Sequence, residues 1–337
     1  MSRTPKILTW LASITLCAGM SGLTGCGVTE DASEYRKALP TTETVAVKVP
    51  QRSGQALTES STQALVNETA EFYQLTRDVS RSINGGVVWV LTLIHAVVQY
   101  PPTEVSENTA TWGPWTDALS PNTYKVMVTR VSPSEYSYVF LGKAKGAADS
   151  AFVTVLSGTH KPTLNVVGAI VERFGQGNLL LDWDNAATLP EHGDEVGKAA
   201  IQYVRTAPGT TAQITAKFTQ VKDDDRPGRR VDADYQYSEN PDGSGSLEFT
   251  FSPDPASIED GPAKFAFSSR WLQTGAGRAD VKAVGGDVPA NVNAVASECW
   301  DTLFKSSYMT ASWDPALGWG DAASCTFATP SYSDLKL

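Results

Sequence analysis

The alternation of apolar and polar residues over the middle of the chain restricts its fold more than any other feature. From Trp112 onward, apolar side chains recur at every second position in successive short segments. The clearest of these segments are 124–128, 136–140, 178–184, 231–238 and 246–251. Successive side chains of a strand point to opposite faces, so each segment predicts a strand with one apolar and one polar face. The short intervals between them favour hairpins and therefore an antiparallel sheet.

Three glycine pairs of the form G-x-G open segments of this kind. They are Gly175 with Gly177, Gly243 with Gly245, and Gly275 with Gly277. A dinucleotide site would need a preceding strand, a third glycine and a following helix, and none of the three pairs has that setting. Glycine readily adopts the positive φ that tight hairpin turns require. We therefore predict hairpin turns at these positions, most clearly at 240–245.

The segment before the strands has a helical period. Leu65, Phe72 and Val79 are seven residues apart, which predicts an amphipathic helix over 57–83, about 40 Å long. Asn84-Gly85-Gly86 is expected to end or break it. The apolar run 87–98 reaches only about 18 Å as a helix, against a hydrocarbon core of about 30 Å, so a buried helix is favoured over a membrane span. A strand is the alternative for this run because of its many valines.

These patterns predict an α+β fold in which a broad, curved antiparallel sheet of about ten strands packs against an N-terminal helical segment. The body is expected to be a single domain over 55–337. Within it, the helical part covers 57–98, the β-rich part 111–285, and a disulfide-closed region 297–327. Residues 26–54 lack a strong period and are rich in Thr, Glu, Val and Pro, which predicts a flexible tether.

The N-terminus has the layout of a secretory signal peptide. Arg3 and Lys6 form a basic start, and 7–20 is almost uncharged and mostly apolar. Leu23-Thr24-Gly25-Cys26 follows and resembles the lipobox of bacterial lipoproteins. The resemblance implies that residues 1–25 are removed and that Cys26 is acylated as the first residue of the mature chain. The alternative is an ordinary signal peptide followed by a chance cysteine.

The resemblance also implies a location. Three acyl chains on Cys26 would hold the protein on a membrane, because each buried CH₂ contributes about 0.8 kcal/mol and two chains already give a stable anchor. In lipoproteins, an aspartate after the cysteine tends to retain the protein at the inner membrane. Gly27 and Val28 stand there instead, which favours the outer membrane. The glycine-opened strands and the cysteine-closed C-terminus also resemble an uncharacterised family of β-rich envelope lipoproteins, which implies no activity.

The charge of the chain excludes some partners. The formal net charge is −10. Removing residues 1–25 would remove two basic residues and no acidic one, so 25 basic and 37 acidic residues would leave a net charge of −12. Such a surface repels nucleic acid and anionic lipid headgroups, so neither is expected as a partner.

The four cysteines divide into two groups. Cys17 would leave with the signal peptide and Cys26 would carry the lipid, so Cys299 and Cys325 remain in an exported protein. A disulfide between Cys299 and Cys325 is the expected state in an oxidising compartment. Two buried free thiols are the alternative.

The search for catalytic and metal-binding residues gives no candidate. His95, His160 and His192 lie in three unrelated settings without ligand spacing, and the chain has no G-x-S-x-G stretch. The run that begins at Asp223 starts like a calcium loop, but Pro227 stands at position five and Asp234 at position twelve. We therefore predict no catalytic residue, no cofactor and no metal site.

Two pairs of residues leave alternatives open. Asp182 and Asp184 would share the polar face of a strand, where most such pairs are simply solvated. Trp112 and Trp115 flank a Gly-Pro turn, where exposed indoles could stack on sugars. The alternative for the two tryptophans is that they fill the core or cover a sheet edge.

The sequence predicts a lipid-anchored envelope protein that acts by binding or assembly and not as an enzyme. Its expected partners are the membrane, through the lipid on Cys26, and an envelope protein. The alternative is a carrier of a lipid or other hydrophobic ligand in a half-barrel cavity, by analogy with the half-barrel carriers of bacterial envelopes. The two hypotheses differ in whether the space between sheet and helix is filled by side chains or hollow.

Overall fold

A computed structural model describes residues 32–51, 69–222, 228, 230–251, 264–285, 288–289, 292, 294–333 and 335. The described residues from Ala32 onward belong to one compact unit. The predicted signal peptide, the predicted lipobox with Cys26, residues 57–68 of the predicted helix and the acidic run Asp223-Asp224-Asp225 lie outside the described residues.

The described part is built on one antiparallel sheet of fifteen strands whose order in the sheet is their order in the sequence. The α-helices are α1 (Ser33–Lys37), α2 (Thr42–Val45), α3 (Glu71–Val98) and α4 (Trp183–Ala186). The strands are β1 (Glu104–Val105), β2 (Thr109–Trp115), β3 (Asn122–Ser132), β4 (Glu135–Ala144), β5 (Val153–Leu164), β6 (Ile170–Asp182), β7 (Lys198–Arg205), β8 (Ala212–Lys222), β9 (Arg230–Glu239), β10 (Gly245–Phe251), β11 (Lys264–Trp271), β12 (Gly277–Val284), β13 (Ala294–Trp300), β14 (Ser306–Ala311) and β15 (Trp319–Gly320).

The expected α+β class with an antiparallel sheet is confirmed, but the number of strands is wrong. The sheet covers Glu104 to Gly320, well beyond the predicted 111–285. The added strands at the end include β13, which is buried on both faces and carries Ser297 and Glu298 in its interior. A strand covered on both sides has no polar face, so its sequence does not alternate.

Helix α3 runs without interruption through Asn84 and Gly85, where we expected it to end or break. The alternative of a strand over 87–98 is also wrong, because the helix continues to Val98. A glycine inside a helix costs only about 1 kcal/mol, and packing of the helix against the sheet outweighs that cost. In the described part of the chain, no helix combines the length and apolar character needed to cross a membrane.

Helix α3 lies on one face of the sheet, here called the inner face. Phe72 meets Phe267 edge-on with ring centroids 5.6 Å apart. Tyr73 stacks on Phe304 at 4.3 Å. Further along the helix, Leu91 is 1% exposed. These contacts place the main core between α3 and the inner face of the sheet.

The predicted tether 26–54 is wrong for residues 32–51, which belong to the folded body. This stretch contains α1 and α2 and buries Tyr35, Leu39, Val45 and Val47, each at most 4% exposed. Apolar residues buried to this degree contribute to the core in the way that those of α3 do. The sequence signal was weak because the two helices are only five and four residues long.

The stretch that follows α2 is held through its main chain. The side-chain amide of Asn84 donates to the carbonyl of Val47 and accepts from the N–H of Val47, both at 2.8 Å. The hydroxyl of Tyr237 on β9 makes the same pair of bonds with Lys48, both at 2.9 Å. Asn84 is a polar residue within the apolar pattern of α3, and its side chain binds the main chain of the segment that follows α2.

The glycine pairs divide into two kinds. Gly243 and Gly275 have φ of 86° and 91° and form hairpin turns, as predicted. Gly175 and Gly177 do not form a turn, because both lie inside β6. A Cβ on Gly175 would be 2.3 Å from the ring of His160 on the adjacent strand. The first pair is therefore required by close packing and not by backbone conformation.

The second glycine of each pair faces an aromatic residue on the following strand. Gly177 pairs with Tyr203, Gly245 with Trp271, and Gly277 with Trp300. A Cβ on Gly277 would be 2.4 Å from the Trp300 ring. Each aromatic ring thus lies over the backbone of its neighbour, in space that any larger residue would fill.

Candidate functional site on the outer face of the sheet

The two cysteines among the described residues form a disulfide. Cys299 on β13 and Cys325 have an S–S distance of 2.06 Å and a Cα–Cα distance of 5.5 Å. This is the pairing expected from the sequence, and the Cα separation is typical of disulfides. The bond fixes the chain that follows β15 against the sheet.

The three histidines are in different surroundings. His95 on α3 has Nε2 3.0 Å from the carbonyl oxygen of Pro40. His160 on β5 is buried, with Nδ1 2.8 Å from the Tyr203 hydroxyl, and burial lowers the pKa of His160 to about 4. His192 is exposed. Within the described ranges, no group of three His, Cys, Asp or Glu residues could hold a metal ion.

Asp182 and Asp184 have structural partners and do not share a strand face. Asp182 ends β6, accepts a bond from the N–H of Asn185 at 2.9 Å and pairs with Lys198 at 2.8 Å. Asp184 lies in α4, not in a strand, and accepts from the N–H of Gly197 at 2.9 Å. That backbone bond is the main cause of the lowered pKa of Asp184. The pair therefore supports local structure.

The two tryptophans beside the Gly-Pro turn also differ. Trp112 is 1% exposed, and its indole N–H donates to the carbonyl of Tyr100 at 2.9 Å. Trp115 is 46% exposed. Only the Trp115 indole is therefore accessible, whereas Trp112 belongs to the hydrophobic core, as the alternative predicts.

A row of polar residues crosses the face of the sheet opposite α3, here called the outer face. Cross-strand pairing aligns one residue from each strand from β2 to β14 into this polar row. In order they are Thr109, Thr129, Ser137, Thr159, Asn178, Gln202, Thr215, Gln236, Glu248, Ser268, Asp280, Ser297 and Thr310. Every member has a side chain that can form hydrogen bonds. Neighbours in the row are separated by the strand spacing of about 4.8 Å.

One part of the polar row is covered by residues 327–333, here called the covering segment. The N–H of Ser331 donates to the Asp280 carboxylate at 2.9 Å, and the Ser333 hydroxyl donates to Glu248 at 2.7 Å. Beneath the segment, Ser268, Asp280 and Ser297 are at most 1% exposed. The chain thus binds an extended piece of itself across its own strands.

A buried charge network holds the covering segment. Asp280 accepts from Arg278 at 2.7 Å, from Arg270 at 3.2 Å and from the Ser297 hydroxyl at 2.6 Å. The two arginines also donate to the carbonyls of Phe327 at 3.1 Å and Thr329 at 2.9 Å. The hydrogen bonds from these donors offset the cost of removing the Asp280 carboxylate from water. The recognition is directed at the main chain of the segment, since carbonyls and an N–H supply most of the bonds.

The other part of the polar row is uncovered. Asn178, Gln202, Thr215 and Gln236 are exposed, and Thr159 is half-buried. An open cleft of about 410 Å³ lies here, lined by Thr159, Asn178 and Gln202 together with residues beside the row. The Asn178 amide donates to the Thr159 hydroxyl at 2.9 Å. The side chains of Gln202, Thr215 and Gln236 make no hydrogen bond within the described part of the chain, so their donors and acceptors face solvent.

Reasoning from the sequence missed the polar row. Some members, such as Asn178 and Gln236, were recognisable as polar-face residues of their strands. Their alignment depends on the register between strands, and a shift of one residue would move each to the other face. The signal that could have found the row is the recurrence of uncharged Thr, Asn and Gln on polar faces that usually carry Lys and Glu.

Comparison with known proteins adds no assignment to this geometry. No protein family model, no curated protein and no solved structure matches the chain.

Proposed function

We propose that the protein is a lipid-anchored component of the cell envelope, facing the periplasm or the surface from the outer membrane, and that it acts by binding or assembly and not by catalysis. The lipobox around Cys26 supports the anchor. The covered and uncovered parts of the outer face support the binding role. One observation carries the proposal, which is the contrast between the two faces of the sheet. Side chains of the protein itself fill the inner face, whereas part of the polar row on the outer face is uncovered.

The inner face argues against the alternative of a hydrophobic carrier. A carrier needs space between the sheet and the helix for its ligand. In the described part, Leu91 and Ile94 of α3 and Phe267 of β11 are each at most 1% exposed and belong to one continuous core. Residues 32–51 occupy further space on this face. Side chains therefore take the place that a lipid would need.

Several polar groups that could serve in catalysis are engaged in structure. His160 is buried against Tyr203, and its lowered pKa keeps it neutral at physiological pH. Asp182 bonds the first turn of α4, and Glu298 bonds the first turn of α3. A general base must reach a substrate proton, and these groups are directed at the main chain or the core. This arrangement supports a non-enzymatic role.

Metabolic labelling with radioactive palmitate tests the anchor. We expect the wild-type protein to incorporate label and the Cys26→Ser variant to incorporate none, because the thiol that would take the lipid is removed. The Cys17→Ser variant is the matched control, since it alters a cysteine of the predicted signal peptide and should be labelled as the wild type is. Label that persists in Cys26→Ser, or its absence from the wild type, would show that Cys26 is not the anchor.

A further inference from the structure

We propose that the uncovered part of the polar row, formed by Thr159, Asn178, Gln202, Thr215 and Gln236, binds an extended, uncharged, hydroxyl-rich polypeptide segment of a partner protein. The partner segment lies across the strands, as the covering segment lies across β10–β12. The inference rests on the proposed role in binding, and it names the surface and the chemistry of the partner. It does not depend on the anchor.

The covering segment shows how this face binds a polypeptide. Side chains of the outer face donate to the carbonyls of Phe327 and Thr329 and accept from the N–H of Ser331. The bonds run from side chains to main chain, so they require an extended backbone more than a particular sequence. The side chains of the segment add hydroxyl contacts such as that of Ser333 with Glu248.

The uncovered part continues this interface without a gap. Ser333 bonds to Glu248, which is the member of the polar row on β10. The next member, Gln236 on β9, pairs directly with Glu248 and is exposed. A second extended segment on β5–β9 would therefore occupy the same row, over the strands next to those already covered.

The spacing of the row fits an extended polypeptide. An extended chain in the polyproline II conformation repeats every three residues, over about 9 Å, and two strand spacings span about the same distance. A segment crossing the strands would therefore present equivalent main-chain groups to every second member of the row. Gln202 and Gln236 are two strands apart, and each amide can donate and accept at once.

Charge selects the class of partner. The five residues of the uncovered part are uncharged, and the protein as a whole has a net charge of −10. An acidic segment would be repelled by the whole molecule, and a basic one would find no carboxylate among these five residues. The two charged residues that line the cleft beside them, Glu135 and Lys161, are opposite in sign. The covering segment, Phe-Ala-Thr-Pro-Ser-Tyr-Ser, is itself uncharged and carries four hydroxyls. It is the chemical pattern we expect in the partner.

A peptide titration tests the proposal. The probe is a fluorescein-labelled acetyl-Thr-Phe-Ala-Thr-Pro-Ser-Tyr-Ser amide, which copies residues 326–333, added to the purified full chain in mild detergent. Fluorescence polarisation should show saturable binding with the weak affinity of a small polar interface. Gln202→Ala with Gln236→Ala should weaken it at least tenfold. Because neither side chain forms a hydrogen bond with another described residue, we expect the double variant to fold as the wild type does. The control variant, Gln99→Ala with Gln273→Ala, removes two exposed amides outside the row and should bind as the wild type does.

Each other outcome would overturn the proposal. Peptide binding that survives Gln202→Ala with Gln236→Ala would place the peptide elsewhere, for example in exchange with the covering segment. Binding of chitohexaose in place of the peptide, lost in the same variant, would assign the row to a glycan. If neither the peptide nor chitohexaose binds, the row does not bind an extended, hydroxyl-rich polypeptide. The palmitate experiment on Cys26 does not depend on the outcome of the titration. A negative titration and a negative labelling experiment can therefore be told apart, since the first concerns the polar row and the second the anchor.

Discussion

Three glycines that lie under aromatic rings allow the close packing of neighbouring strands in the sheet. Gly177, Gly245 and Gly277 each face a Tyr or Trp on the following strand. The repeated G-x-G pattern was visible in the sequence, but its cause was not, because each aromatic partner is 23 to 26 residues further along. Propensity rules assign glycine to turns, and only the register shows that these positions need the absence of a side chain.

Gly277→Ala should lower the free energy of unfolding by about 1–3 kcal/mol, the usual cost of forcing extra atoms into a packed core. The added Cβ would be 2.4 Å from the Trp300 ring and 2.5 Å from the carbonyl oxygen of Arg270. Urea unfolding followed by tryptophan fluorescence measures the change. Gly209→Ala is the control, because its Cβ would meet no atom within 4 Å, and it should be neutral or slightly stabilising. Equal stability of the two variants would contradict the packing argument.

At the scale of elements, the start of helix α3 is capped from the far end of the sheet. Ala70 precedes the helix and has no side chain that can cap it. The carboxylate of Glu298 on β13 accepts from the N–H of Phe72 at 2.6 Å and from that of Glu71 at 3.2 Å, and it also accepts from the Ser306 hydroxyl. The amphipathic pattern predicted the helix, but a cap supplied 226 residues away leaves no local signal.

The Glu298→Gln variant should change how stability depends on pH. Burial raises the pKa of Glu298 to about 7 from 4.5. Between these values the folded protein holds a proton that the unfolded chain has lost, so this group makes stability fall as pH rises from about 4.5 to 7. The loss is on the order of 3 kcal/mol, at 1.36 kcal/mol per pKa unit. The difference in urea midpoint between wild type and Glu298→Gln, measured at several pH values, gives this slope.

A matched variant separates this effect from general changes in charge. Glu104→Gln replaces an exposed glutamate on β1 and should leave the pH profile of the wild type unchanged. A Glu298→Gln profile that runs parallel to the wild type from pH 4.5 to 7 would show that Glu298 is ionised throughout this range in the folded protein.

At the scale of the whole molecule, the folded body includes residues 32–51. The sequence correctly predicted an antiparallel sheet against N-terminal helices, because alternation and helical period are local properties. It could not predict that residues 32–51 belong to the body, since their main-chain partners Asn84, Arg205 and Tyr237 lie far along the chain. Nor could it predict the polar row, which exists only once the strands are in register.

A chain that begins at residue 53 should be much less stable than one that begins at residue 30. Removal of residues 32–51 exposes apolar surface of the inner face and leaves Asn84 and Tyr237 without their main-chain partners, at about 1–3 kcal/mol for each such group. We expect broad thermal unfolding and a tendency to aggregate in the shorter chain, measured by circular dichroism and light scattering. Identical melting curves for the two chains would mean that residues 32–51 add nothing to the fold.

Each strand pairs with the strand made just before it, so pairing within the sheet can follow synthesis. Helix α3 differs, because its partners on β11–β13 are made much later than the helix itself. Each hairpin can close as soon as its second strand has left the ribosome, whereas the N–H of Phe72 must wait for Glu298, 226 residues later. At about 5–20 residues per second, synthesis of that stretch takes roughly 10 to 45 seconds. Until β11 begins at Lys264, the apolar side of α3 has none of its final neighbours from β11–β13. Of the described elements, α3 is thus the first long one to be synthesised, and its contacts with β11–β13 are among the last to form. On the nascent chain, the apolar side of α3 is therefore the surface that a chaperone would bind.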